Sequence, residues 1–171
     1  DAFFTAVRAG KTTFDELSNS IGRAAPLAAT TNTSLEELLA GVAALTTSGL
    51  KTEEAMTAMR GIFQKIIKPT QQAKDAANEL GIEFNQAALE SQGLYGFLQN
   101  ISEAADGNTE ILGRLFEDVE ALNGVLALTG GSSEKMAEIL GDMEERRVPP
   151  RLPSKRWKRS LITFKIYLLI S

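Results

Sequence analysis

The 171-residue chain carries 18 Lys/Arg against 22 Asp/Glu, is 43% hydrophobic, and contains neither cysteine nor histidine. That length suits one domain, or one domain plus a tail, with enough apolar material for a core. The missing residue types remove His-assisted serine or cysteine triads, His-ligated zinc, the usual general base near neutrality and any disulfide framework. No catalytic, cofactor-binding or metal-ligating residue is therefore expected, and the chain is read as a non-enzyme.

The opening stretch "DAFFTAVRAG" repeats Phe3, Val7, Ala6 and Ala9 at helical spacing. It begins with Asp1 and not Met, so an excerpt of a longer protein is expected, and it lacks the basic-then-apolar pattern of a secretory signal. The following "GKTT" imitates the end of a phosphate-binding loop. The motif, however, needs its first glycine where Thr5 stands, and a strand leading into it. Thr13 with Glu16 three residues on is instead the hydroxyl–carboxylate pair of a capping box, so a helix–turn–helix junction is expected.

Further helices follow. Thr33 and Ser34 precede Glu36 and Glu37, and Leu35, Leu38, Leu39, Val42 and Leu45 then make an apolar face that Gly49 terminates. Thr52 opens a helix with Met56, Met59, Phe63, Ile66 and Ile67 inward; Pro69 suits the first turn of the next, which ends at Gly81. "IEFNQAALESQG" reads as a connector with one short helix, and Gly93 begins another carrying Leu94, Phe97, Leu98 and Ile101. Asn108 caps the longest predicted element, in which Ile111, Leu112, Leu115, Phe116, Val119, Leu122 and Leu126 keep the helical period for about five turns. Ser132 or Ser133 starts the last helix. The expected fold class is all-α, a compact antiparallel assembly of six to eight short helices. Glycines interrupt the heptads that a continuous coiled coil would need.

The side chains that could carry chemistry do not converge. Glu36-Glu37, Glu53-Glu54, Glu144-Glu145 and the cluster Glu117, Asp118 and Glu120 are read as solvated helix faces, because adjacent helical residues point about 100° apart. Met56, Met59, Met136 and Met143 are spaced as core residues. Gly41, Gly61, Gly113 and Gly124 lie inside helices, where each costs ~1 kcal/mol relative to alanine; close helix approach and a site of bending are the two explanations.

Residues 1–147 hold 12 Lys/Arg and all 22 Asp/Glu, a net −10, whereas residues 148–171 hold 6 Lys/Arg and no acid, a net +6. An acidic body does not suit nucleic-acid phosphates, so no specific nucleic acid is expected as a partner. Two domains of character follow: a helical body over 1–147 and a basic, apolar-ended tail over 148–171. The tail is read as irregular, disordered or foreign to the fold, or as a segment that touches anionic membrane through Trp157 and the apolar strip after it. That strip is too short to span a bilayer.

From Gly10 to about Asp142 the sequence resembles the shared domain of tail tape measure proteins of tailed bacteriophages and prophages. The blocks that carry the resemblance are "GKTTFDELSNSIGRAAPLAA", the run "SLEELLAGVAALTTSGLKTEEAMTAMRGIFQKIIKPTQQAKDAANELGI", then "LESQGLYGFLQNI" and "LGRLFEDVEALNGVLALTG". Asn32 stands where the family often has glycine, and the match ends near Glu144. The resemblance implies a structural role in setting tail length. It also implies contacts with tail tube, tail chaperone and baseplate proteins, self-association, and a location in the virion tail after assembly in the host cytoplasm. Because caps and glycines punctuate the chain, a folded module within the ruler is expected, not the extended rod itself. A helical interaction scaffold of non-phage origin and a membrane-active fragment acting through 148–171 are the alternatives.

Overall fold

The computed structural model describes residues 2–147. The tail expectations, irregular structure, membrane contact and foreignness to the fold, fall on residues outside those described. Among the described residues the chain forms ten α-helices and one short 3-10 turn, Ile21–Arg23, with no strand. The helices are α1 (Ala2–Ala9), α2 (Phe14–Ser20), α3 (Ala25–Thr30), α4 (Leu35–Thr47), α5 (Thr52–Ile67), α6 (Gln71–Leu80), α7 (Gln86–Ala105), α8 (Thr109–Phe116), α9 (Val119–Thr129) and α10 (Ser133–Arg147).

The all-α class is as expected; the count of six to eight is corrected to ten. Two local causes account for the excess. Pro26 sits in the first turn of α3, a helix of six residues that the sequence did not announce. The long helix expected after Asn108 is split at Glu117, whose φ of 54° and ψ of −40° leave the helical region. The reading of 82–105 holds: Gly93, at φ 70° and ψ 164°, divides α7 into a short first segment and a longer second one.

The α4–α5 hairpin is the centre of the molecule. Every residue of α4 from Leu38 to Thr46 is buried, because α1, α3, α5, α7, α9 and α10 all pack against it. A helix apolar on all sides can only be an interior one. α9 lies along α5 in the most extensive pairing, and α6 packs on α8 as a second group. Phe84, from the connector after α6, meets Phe116 edge-on at 5.4 Å and Phe97 at 6.0 Å between centroids. Each such fully buried side chain contributes about 1.5–3 kcal/mol relative to exposure.

Capping sets where the helices begin. Thr13 and Ser34 each form a reciprocal box with the Glu three residues on, while Thr70, Asn85 and Asn108 accept first-turn amides through their side chains. Gly81 closes α6 in the left-handed conformation. The glycine question is answered position by position. An added Cβ on Gly61 would lie 3.1 Å from the Ala121 Cβ, and one on Gly124 2.9 Å from the Ala58 Cβ. α5 and α9 thus interlock reciprocally, each offering a glycine to the other's alanine. A Cβ added to Gly41 would stand 3.1 Å from the Met59 sulfur, whereas one on Gly113 would meet nothing nearer than Leu122 at 3.8 Å. Close approach explains the first three and not Gly113.

Candidate functional site

Gly10 to Thr13 is where a ligand would sit if the phosphate-loop imitation were real. Gly10 lies against α4, where an added Cβ would stand 2.8 Å from Thr46 Oγ1 and 3.1 Å from Ala43 Cα. The Lys11 amide donates to Thr46 Oγ1 at 3.0 Å, and the Thr12 and Thr52 hydroxyls pair at 2.7 Å. Glu16 Oε2 accepts the Thr13 N–H at 2.9 Å and the hydroxyls of Thr13, Thr52 and Thr12 at 3.1, 3.3 and 3.4 Å. One carboxylate thereby ties the α1–α2 junction to the start of α5. The Thr13 backbone N–H, above all, and then its hydroxyl hold the Glu16 carboxyl below its ordinary value of 4.5, against the opposing effect of burial.

A cleft of about 730 Å³ opens beside this network, lined by Lys11, Glu16, Lys51, Glu53 and Glu54 among others. Three glutamates outnumber two lysines, and the Lys11 amide that a phosphate would need is already engaged by Thr46. Thr5, at the motif's first-glycine position, is buried in α1.

The carboxylate pairs lie apart from one another, but Glu37 and the Glu117–Asp118 pair make inter-helix contacts and are not the solvated helix faces expected. Glu37 Oε2 accepts the Ser34 N–H and hydroxyl at 3.0 and 3.1 Å, while its Oε1 accepts the Leu94 N–H at 2.7 Å. Glu37 therefore serves the starts of two helices, α4 and the second segment of α7. Glu54 accepts the Lys51 N–H at 2.9 Å, and Glu53 pairs with Arg23 at 3.4 Å. Glu144 and Glu145 are exposed on α10. Glu117 and Asp118 both reach Lys65 Nζ at 3.3 Å, and Glu117 also accepts the Thr70 hydroxyl at 2.8 Å. Burial lowers the Lys65 pKa, but hydrogen bonds to Asp118 and Glu117 and their charges more than offset it, leaving it above 10.5. Glu120 is exposed. Among the described residues no group of three or more acidic side chains is placed to hold a metal ion, and no helix is long and apolar enough to cross a membrane.

An apolar patch escaped the sequence reading. Phe4 and Phe14 are 62% and 60% exposed, and the Phe14 ring meets Phe3, which packs against the core, at a tilt with 5.5 Å between centroids. Its signal was Phe4 standing beside Phe3, off the inward stripe, and an aromatic directly after the Thr13 cap.

Polar side chains spent on caps, ion pairs and inter-helix ties, around a core of small and aliphatic residues, define a helical packing module. The chain belongs to the phage-related minor tail protein family, whose model matches residues 1–117. It is similar to the "Tape measure protein" of Pneumococcus phage Dp-1, 28% identical over 144 residues, or 81% of this chain and 12% of that one. It is also similar to the "Probable tape measure protein" of Escherichia phage P2, 24% identical over 133 residues, 74% of this chain and 16% of the relative. The chain thus spans only a small part of the length of these relatives. No solved structure matches it.

Proposed function

We propose that this chain is a folded, non-catalytic module of a tape measure protein, which lies in the virion tail and takes part in setting tail length. The body over 1–147 would be the module and 148–171 an appendage. In the longer protein most of the measuring length lies elsewhere, and the module contributes contacts. Tail tube, tail chaperone and baseplate proteins are the proposed partners, met in the bacterial cytoplasm during assembly. The observation that carries this reading is the α4 interior: a helix surrounded by six others belongs to a compact block and not to an extended strut. Family membership supplies the setting.

Duplicating residues 2–147 within the full-length protein of a phage that carries it, and measuring tails by electron microscopy, tests both parts. A folded block adds roughly its own diameter, about 40 Å. A helical rod of the same residues would add about 220 Å at 1.5 Å per residue. An increase near the larger figure overturns the folded module, and unchanged tail length overturns its place in the ruler.

A further inference from the structure

The α8–α9 region is written in the sequence as one helix but folded as two. Leu115, Phe116, Glu117, Asp118, Val119 and Glu120 contain no proline or glycine. The turn they make is costly in kind: Glu117 has φ 54° and ψ −40°, and the Asp118 N–H closes back on the Phe116 carbonyl. This is a three-residue γ-turn of the positive-φ form, rare and strained, on a residue that carries a Cβ.

The break also dislocates the apolar stripe. α8 buries Leu112, Leu115 and Phe116, so an unbroken helix would continue the stripe through Val119, Leu122 and Leu126. Instead Val119 is 67% exposed, and α9 buries Ala121, Gly124, Val125 and Leu128. The joint is held closed from outside, by Lys65 of α5 on both carboxylates and by Thr70 on Glu117. Beyond the joint, α9 and α10 form an arm packed chiefly on α5 and α4, with a further tie from Arg8 of α1 to Asp142 at 2.6 Å.

We propose that Glu117–Asp118 is the hinge of a domain-swapped dimer of this chain. α8 and α9 join into a single helix over 109–129, about 30 Å long, and the α9–α10 arm of each copy docks on α4 and α5 of the other. Every arm contact, including the glycine–alanine interlock with α5, is rebuilt between copies, while the strained turn disappears. Short strained hinges favour this exchange, and the remaining cost is association, so the dimer is concentration-dependent. The partner is a second copy because only it presents the complementary groove.

The absence of cysteine makes the test clean. Arg8→Cys with Asp142→Cys, both partly exposed, is introduced into the 171-residue chain; monomer and dimer are separated by size-exclusion chromatography across a concentration series, then oxidised. In the dimer the new disulfide links two chains, giving covalent dimers on non-reducing gels; in the monomer it stays within one. Glu117→Ala with Asp118→Ala, which removes the tie and favours helix, raises the dimer fraction at least several-fold at fixed concentration. Glu117→Gly with Asp118→Ala, which removes the same tie but relaxes the turn and disfavours helix, gives a lower fraction than the double alanine variant. Lys65→Met raises it with the joint residues unchanged, and decides the matter if the double alanine variant does not fold. Dimer fractions unmoved by Lys65→Met, or dimers whose disulfides remain within each chain, overturn the proposal.

Discussion

Glu37 shows how much a single carboxylate can hold. It completes the Ser34 box and also accepts the Leu94 amide across the Gly93 kink, where an added Cβ would stand 2.8 Å from its Oε1. Glu37→Ala leaves both helix starts short of an acceptor and is expected to cost about 1–2 kcal/mol in chemical denaturation; Ser34→Ala, which removes one box only, costs less. An equal loss from the two substitutions would show that the Leu94 contact adds nothing. Glu16 carries a pH signature. Its folded pKa is depressed, so its stabilisation is present above about 4.5 and is lost as pH falls through the folded value. The difference in denaturation midpoint between the wild type and Glu16→Gln is therefore expected to shrink from pH 7 to pH 3; a constant difference would contradict the network. Capping residues such as Thr13 and Ser34 were legible because their signal is local. The Glu37–Leu94 and Glu16–Thr52 contacts were not, since they join positions 57 and 36 residues apart.

At the level of elements, helices could be placed wherever cap, stripe and terminator agreed, as in α4, α5 and α6. Periodicity misled at 109–129, because a helix-compatible stretch is broken by tertiary contacts from Lys65 and Thr70 that no local pattern encodes. The buried Phe84 was passed over for the complementary reason: it belongs to a connector and has no periodic companions. The helical glycines give a contrast within one family of substitutions. Gly124→Ala forces a Cβ to 2.9 Å from the Ala58 Cβ, and overpacking of about 1–3 kcal/mol outweighs the gain in helix propensity. Gly113→Ala meets only Leu122 at 3.8 Å and is expected to stabilise by about 0.5–1 kcal/mol. Thermal melts of the two variants should move in opposite directions, and parallel shifts would refute the interlock.

For the molecule as a whole, class and family were readable because they rest on repeated evidence: helical stripes, many caps and an ordered succession of blocks. The surface was less readable, since Phe4 and Phe14 differ from core aromatics only in where the fold leaves them. Small-angle scattering checks the compact arrangement directly. A monomer of this length is expected to give a radius of gyration near 16 Å, whereas a value several times larger would mean that α4 is not enclosed as described. The same measurement at rising concentration should report growth only in step with the cross-linkable dimer fraction.

The enclosure of α4 also sets a timetable for biosynthesis. Its walls include α10, which begins at Ser133, whereas α4 itself ends at Thr47. Ribosomes add about 5–20 residues per second, so this enclosed helix waits many seconds after emergence for its last neighbour. Until then the side of α4 that α10 covers is open to any holding protein, and to the same helix on a neighbouring nascent chain.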